Sequence, residues 1–191
     1  MAVELFVLGI VSFIVGFLVK FVDFIEDDIK SKKNPLRKFT PFFGIIYGLL
    51  IGVVLFFWQG LVPLAVGVVL GELAARKIDA PGHLIAIFAF LILLVLLIAF
   101  GFFSGIFVYY FAALVVIFFL ASLADEFADK YAQTLKNKFV KLFFSFRPVL
   151  EIAAFVVSLI TNQWFIWITI FAFDLAYVIA AKNLPRIFAE K

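Results

Sequence analysis

The chain contains no cysteine and a single histidine, His83. Without cysteine there is no disulfide, no thiolate metal site and no cysteine nucleophile, and the redox compartment is left open. One histidine cannot supply the paired ligands of a typical zinc or haem site. The motifs G-x-x-x-x-G-K-[ST], G-x-S-x-G and H-E-x-x-H are absent as well. These absences argue against the soluble-type catalysis that such motifs support.

Charge is scarce, since 15% of the residues are charged and 66% are hydrophobic. A soluble domain carries about 25% charged and about 45–50% apolar residues. No charged residue occurs from Leu84 to Ala124. That run is too long for one span of about 20 residues, so its GFFSG stretch, Gly101 to Gly105, predicts a turn. The composition predicts an all-α, polytopic integral membrane helical bundle, with residues 1–191 forming a single transmembrane domain.

Apolar segments along the chain predict about seven transmembrane helices. The third and sixth segments are the shortest. The first carries Glu4 where a signal peptide would carry Lys or Arg, and it lacks a small-residue cleavage site, which favours a retained span. The last contains no lysine for a retinal Schiff base. The predicted spans are Val3–Val22, Pro41–Trp58, Leu61–Ala75, Leu84–Phe100, Ile106–Ala124, Pro148–Thr161 and Trp164–Ala181.

The basic residues predict the orientation of the bundle. With seven spans, every Lys and Arg falls on one side of the membrane. Basic loops are retained in the cytoplasm, so we expect a cell-membrane protein with an external N-terminus and a cytoplasmic C-terminus. Trp58, Trp164 and Trp167 then lie at the outer ends of spans, as in an interfacial aromatic belt. The net charge of +3 is explained by anionic lipids of the cytoplasmic leaflet and requires no nucleic acid.

The second basic linker has an amphipathic pattern. From Phe127 to Leu142, apolar residues recur at spacings of three and four opposite the lysines. This pattern predicts an interfacial helix at about 125–144, lying on the inner leaflet.

Two D-x-x-x-D pairs stand where a long apolar segment meets a Lys-rich linker: Asp23 with Asp27, and Asp125 with Asp129. Carboxylates four residues apart share one face of a helix, so each apolar helix is predicted to continue past the membrane surface. Two facing pairs would bind Mg²⁺ together with phosphate oxygens of a substrate. The alternative is an ordinary charged surface, with Glu26–Lys30 and Glu126–Lys130 as i,i+4 ion pairs.

The order of features suggests an internal repeat. A D-x-x-x-D pair, a basic linker, a proline at a helix start, an outer tryptophan and a late acidic residue occur twice in that order. A duplication would comprise residues 3–77 and 106–182, with a linker helix at 84–103 that gives both halves one orientation. The unequal spacing of the features argues against it, and both interpretations stay open.

Apart from Glu4 at the very start of the first span, three acidic residues lie inside predicted spans: Asp174 at mid-span, Glu151 and Glu72 nearer the ends. A mid-span acid costs at least about 2.5–3.5 kcal/mol, so such residues usually face the bundle interior and mark a site or pathway. We therefore expect these three to act in transport or coupling. For Glu151 and Glu72 the alternative is a surface position or pairing with Arg147 and Arg76.

A third set of candidates would serve catalysis. His83 ends the string K-x-D-x-P-G-H, in which Asp79 is the acid, and Arg147 precedes the proline of a later span. An imidazole beside a carboxylate titrates near neutral pH. A lone histidine at the start of a helix is also a common interfacial cap.

Three functions remain. The first is a carrier or channel for a small solute or cation, coupled to protons or cations through intramembrane carboxylates. The second is a Mg²⁺-dependent membrane enzyme acting on a lipid phosphate or diphosphate at the cytoplasmic face. The third is a structural subunit of a larger membrane complex. The sequence leaves the substrate and the oligomeric state open.

Overall fold

The computed structural model describes residues 2–27, 35–78, 80–101 and 108–189. These residues form eight α-helices and two short 3-10 turns, Pro35–Phe39 and Gln59–Leu61, and none of them is in a strand. The α-helices are α1 (Ala2–Asp27), α2 (Thr40–Phe57), α3 (Val62–Ala74), α4 (Pro81–Ala99), α5 (Val108–Thr134), α6 (Lys138–Ser145), α7 (Pro148–Thr161) and α8 (Phe165–Ala189).

Proline determines where several helices begin. Pro41, Pro63, Pro81 and Pro148 occupy the first or second position of α2, α3, α4 and α7. Proline suits that position because its fixed φ matches the helix and its missing N–H would have no helical acceptor there. After α4, Gly101 adopts a φ of 71°, which glycine reaches without strain. The rest of the predicted turn at 101–105 lies outside the described residues.

Five helical stretches are long and apolar enough to cross a membrane: Val3–Glu26, Leu36–Phe57, Pro81–Ala99, Tyr110–Thr134 and Phe165–Phe188. Many large apolar side chains on them are exposed, as in a protein surrounded by lipid. The predicted all-helical, multi-pass architecture is therefore confirmed. The stretches Gln59–Ala74 and Pro148–Thr161 are apolar but shorter, so seven spans stay a prediction.

The interfacial helix predicted at 125–144 is not one helix. Residues up to Thr134 continue α5, and a separate short helix, α6, starts at Lys138. The Asn137 side chain accepts hydrogen bonds from the backbone N–H groups of Phe139 and Val140, so it caps α6 and fixes the new start. One D-x-x-x-D pair lies on α1 and the other on α5, so each apolar helix does continue through its pair. That this part of each helix lies beyond the membrane surface stays a prediction.

Small residues allow three pairs of helices to pack closely: α1 with α8, α2 with α4, and α3 with α5. A Cβ atom at Gly16 would lie 2.2 Å from the carbonyl oxygen of Phe173. At Gly48 it would lie 2.4 Å from the carbonyl oxygen of Ala86. Gly67 faces the backbone of α5 in the same way.

Gly16→Ala should destabilise the protein, because the new Cβ atom meets backbone atoms of α8 that cannot move without separating the two helices. We expect a loss of at least about 1–3 kcal/mol in unfolding free energy. Gly9→Ala is the matched control on the same helix, since its nearest contact would be an ordinary 3.8 Å to Ile168. Thermal unfolding of both variants in one detergent makes the comparison, and equal melting temperatures would contradict the close packing.

Most charged residues of the described ranges gather at one end of the bundle, with Glu4 at the other. At the charged end α1, α3 and α5 stop, and α2, α4 and α7 begin. Trp58, Trp164 and Trp167 lie at the opposite end, after α2 and at the start of α8. Helix termini from separate parts of the chain thus bring their polar side chains together.

Candidate functional site

A cavity of about 660 Å³ lies within the bundle, with lining residues on α1, α2, α3, α4, α5 and α8. At its charged end Arg76 and Gln133 line it and are exposed, so the cavity opens there. At the other end its wall includes Leu55, Leu61 and Phe90, each 2% exposed. The cavity is therefore open at one end and closed by apolar side chains at the other.

Most of the predicted site residues lie on the wall of this cavity. Glu151 does not line it. The side chain of Asp27, and Asp79 altogether, lie outside the described residues. The predicted residues that line the cavity are Asp23, Glu72, His83, Asp125, Asp129, Arg147 and Asp174.

His83 is held between two side chains. Its Nε2 lies 2.6 Å from Oδ1 of Asp23, and its Nδ1 lies 2.6 Å from the hydroxyl of Tyr47. Tyr177 donates a hydrogen bond of 2.7 Å to the other oxygen of Asp23. The histidine side chain is only 11% exposed, so it is no surface cap. A carboxylate beside an imidazole fixes its tautomer and the orientation of its ring.

Further contacts tie the end of α1 to α4 and α8. Lys20 Nζ lies 3.6 Å from Oδ2 of Asp23 and donates a 3.2 Å hydrogen bond to the hydroxyl of Tyr177. Glu26 accepts a 3.1 Å hydrogen bond from the backbone N–H of Gly82, near the start of α4. The α1 acids thus bind partners on other helices, which a simple surface stripe would not do.

Arg147 forms a second polar cluster. Its guanidinium pairs with Glu72, lies 3.1 Å from the hydroxyl of Ser122 and 3.6 Å from Oε1 of Glu126. Its backbone φ of 48° is in the left-handed region, a strained conformation that surrounding contacts must maintain. Arg147 thereby connects α3 and α5 to the start of α7. Glu72 does have a basic partner. That partner is Arg147, and not Arg76, which lies four residues after Glu72 in the sequence.

The mouth of the cavity carries a third cluster. Lys77 Nζ lies 3.0 Å from Oε2 of Glu126 and 4.0 Å from Oδ2 of Asp129. Burial lowers the pKa of Lys77, but the two carboxylates outweigh it and raise the pKa above its usual value. Glu126 is thus paired with Lys77 and Arg147 rather than with Lys130, which instead donates to the carbonyl oxygen of Ala75. The Glu126–Lys130 pair named in the alternative interpretation is therefore not formed.

Asp125 caps α7. Its two oxygens accept hydrogen bonds from the backbone N–H groups of Val149, at 3.0 Å, and Leu150, at 2.7 Å. A carboxylate at a helix N-terminus satisfies donors without helical acceptors and interacts favourably with the helix dipole. The residue is 1% exposed, so these bonds are shielded from water.

Asp125→Ala should therefore lower the unfolding free energy by about 1–2 kcal/mol, because two N–H groups of α7 lose their acceptors. Asp125→Asn keeps one acceptor oxygen, so its unfolding free energy should fall by less than that of Asp125→Ala. Unfolding in mixed micelles, monitored by circular dichroism, gives both values. A wild-type melting temperature for the alanine variant would contradict the capping role.

The described residues include no arranged set of ligands for the predicted magnesium site. Among the described residues, no group of three or more acidic or histidine side chains is placed to hold a metal ion. Both oxygens of Asp23 contact His83 or Tyr177, and both oxygens of Asp125 contact backbone N–H groups. The side chain of Asp27 is outside the described residues, so magnesium binding by the two pairs stays a prediction.

Asp174 lies on the cavity wall and is 2% exposed. Its Oδ2 atom has no hydrogen-bond partner. Arg147 is close enough for its charge to act on this carboxyl group, although it lies on another part of the chain. A deeply buried acid with an unpartnered oxygen is a candidate for a pathway or binding site.

The other unpartnered atoms lie on the same wall. Within the described part of the chain, buried side-chain atoms without a hydrogen bond occur in five residues, and all five line the cavity. Buried polar groups are usually satisfied, so this concentration indicates an occupant such as water, an ion or a polar ligand. The atoms are Ser12 Oγ, Glu26 Oε2, Arg147 Nε, Asp174 Oδ2 and Glu126 Oε2, the last of which has only its ion pair with Lys77.

Sequence reasoning missed several cavity residues: Ser12, Lys20, Tyr47 and Tyr177. Each is a polar residue inside a predicted apolar span. Tyr177 follows Asp174 by three residues and so shares its helix face, which was a usable signal. Tyr47 had no such signal, because its partner His83 lies on another helix.

Comparison with known proteins finds no matching family model, no matching curated protein and no matching solved structure.

Proposed function

We propose that this protein is a membrane carrier for a cation, with coupling through Asp174. The observation that carries the proposal is the cavity wall, where a buried carboxylate with a free oxygen lies among an excess of acids. Of the described side chains on the wall, seven are carboxylates, four are Lys or Arg, and one is His83. Such a wall attracts positive charge.

Asp174 is the coupling residue in this proposal. A buried carboxylate is costly when ionised and unpaired, so it is stable either protonated or beside a bound cation. Proton and cation therefore compete for the same oxygen atoms. This competition links the movement of one to the movement of the other.

The shape of the cavity supports a carrier rather than an open channel. One end is open, and the other is closed by buried apolar side chains such as Leu61 and Phe90. A carrier exposes its site to one side at a time. The structure would then correspond to one of its two states.

The helix packing supports the duplication of residues 3–77 and 106–182. In those two segments α1 corresponds to α5, and α3 corresponds to α8. The packing is reciprocal, because α1 contacts α8 and α5 contacts α3. Two related halves around a central cavity are a common basis for alternating access.

We further propose seven crossings, with α3 and α7 as short spans, and the charged end of the bundle facing the cytoplasm. The reason is that Lys and Arg residues of the described chain gather at that end. Contact of these residues with anionic lipids would stabilise this orientation. In the cell membrane, the cavity of this state would then open inward.

A reporter fused after Lys191 should therefore show a cytoplasmic C-terminus, and a tag before Met1 should be accessible from outside. Green fluorescent protein and alkaline phosphatase fusions give opposite signals for the two sides. An external C-terminus would contradict seven crossings with inward basic residues.

Reconstitution into liposomes tests the transport function. Wild-type protein should take up a monovalent inorganic or organic cation when the interior is acidic, because outward proton movement would drive entry. Protein-free liposomes give the background. Background uptake for a panel of sodium, potassium, tetramethylammonium and decyltrimethylammonium ions at several pH gradients would argue against a carrier.

A second candidate function is favoured by the arrangement around His83. A histidine oriented by Asp23 and Tyr47 on a cavity wall is a usable general acid or base, and Arg147 would bind a phosphate group. This is the Mg²⁺-dependent enzyme acting on a lipid phosphate. It predicts product formation in detergent, where no transport is possible.

A further inference from the structure

The size of the cavity bears on the kind of cation it holds. Its volume is about 660 Å³. One water molecule takes about 30 Å³ of liquid, so an inorganic ion would leave most of this space to solvent. Cavities of about 300–1,000 Å³ are typical of sites for organic ligands.

The wall changes in character along the cavity. Most charged lining residues belong to the mouth, at the ends of α1, α3 and α5. Beyond Asp174 the wall is formed mainly by aliphatic and aromatic side chains. Apolar cavities are poorly hydrated, so this part suits hydrocarbon better than water. Among the residues of this apolar half are Val54, Leu55, Leu64, Val68, Phe90 and Ile170.

The free acceptors indicate a positive head group. Two basic residues near the mouth already have acidic partners: Arg147 pairs with Glu72, and Lys77 pairs with Glu126. Arg76 is exposed at the opening, and Arg147 keeps one unpartnered nitrogen, Nε. Asp174 Oδ2 lacks a hydrogen-bond partner. A cation placed there would gain a partner without displacing an existing ion pair.

We infer that the ligand of this cavity is a cationic amphiphile, with its positive head group beside Asp174 and its hydrocarbon chain in the apolar half. This inference rests on the proposed carrier function and specifies its substrate class. The carboxylate selects the charge, and the aliphatic wall selects a chain over a small hydrated ion.

Thiol protection in lipid nanodiscs tests this inference, because the chain has no cysteine of its own. Val54→Cys places a thiol in the apolar half, where Val54 is 7% exposed. Val53→Cys is the matched control. Val53 is the residue next to Val54 on the same helix, but it is 49% exposed and does not line the cavity. The probes are tetramethylammonium, decyltrimethylammonium and decyl phosphate, and the reagent is N-ethylmaleimide.

Decyltrimethylammonium should slow labelling of Val54→Cys at least about tenfold and leave Val53→Cys unchanged. Tetramethylammonium lacks the chain and should leave both rates unchanged. Decyl phosphate has the chain but a negative head group, so it should leave both rates unchanged as well. Adding Asp174→Asn to Val54→Cys should weaken the protection. If Val54→Cys does not fold, Ser12→Cys on the same cavity replaces it, with Val7→Cys, an exposed position on α1, as its control.

Equal protection by decyl phosphate, or no protection by either decyl compound, would overturn the inference. The carrier proposal can fail separately. Uptake of tetramethylammonium into liposomes without protection of Val54→Cys would retain the carrier and reject the amphiphile. Protection without uptake of any cation would retain the amphiphile site and reject transport.

Discussion

Asp174→Asn should reduce cation uptake into liposomes to the protein-free background. The substitution keeps the size and most hydrogen bonding of the side chain, but it removes the charge that attracts the cation and the group that exchanges the proton. Melting temperature should stay unchanged or rise, because burying an amide costs less than burying a carboxylate. Initial uptake rates under a fixed pH gradient, at matched protein content, give the comparison.

Glu4→Gln is the control for this variant. It also replaces a carboxylate by an amide, in the first turn of α1, at a residue that does not line the cavity. Uptake by this variant should stay within about twofold of wild type. Normal uptake by Asp174→Asn would remove Asp174 from the coupling mechanism, and an unfolded Asp174→Asn protein would show a structural role instead.

Arg147→Ala should destabilise the protein by about 3 kcal/mol, the lower end of the range for breaking a buried ion pair. The lower end applies because Arg147 and Glu72 are 16% and 18% exposed. Removal of the guanidinium leaves Glu72 without its partner and weakens the link between α3, α5 and α7. Equilibrium unfolding in mixed micelles measures this loss.

Two further variants identify the cause. Arg147→Ala combined with Glu72→Gln removes the uncompensated charge and should recover more than half of the lost stability. Arg37→Ala removes an exposed arginine and should change stability by less than about 0.5 kcal/mol. If the single and double Arg147 variants were equally unstable, the ion pair with Glu72 would not be the cause.

The membrane class and the positions of most helices could be predicted from the sequence. Long apolar runs separated by basic linkers indicate spans, and proline indicates where a helix begins. The start predicted at Pro41 is one residue after the first residue of α2, Thr40. The start predicted at Pro148 is the first residue of α7. The division between α5 and α6 was missed, because the apolar periodicity continues across the capping residue Asn137.

Which face of each helix is buried could not be predicted, because lipid and protein interior are both apolar. Leu55 is 2% exposed and Phe57 is 68% exposed, although both belong to the same apolar run of α2. In a soluble protein the exposed position would be polar, and the pattern would reveal the core. In this chain only the scattered polar residues, such as Asp174, indicate the interior.

The partners of the polar residues could not be predicted either. Asp23 and His83 are 60 residues apart, and Arg147 and Glu72 are 75 residues apart. Local spacing favoured i,i+4 pairs, as for Glu126 with Lys130. The acids instead bind groups on other helices, because helix ends from distant parts of the chain meet at the charged end of the bundle.

A carrier of the proposed kind opens its cavity to each side of the membrane in turn, and the accessibility of Ser12 from the two sides tests this alternation. Ser12 lines the cavity and is 4% exposed, so Ser12→Cys provides a single thiol at the site. A membrane-impermeant cationic thiol reagent is applied to intact cells and to inverted vesicles. We expect labelling from both sides, slowed in each case by the transported cation. Labelling from the charged side alone would contradict a carrier and indicate a one-sided pocket.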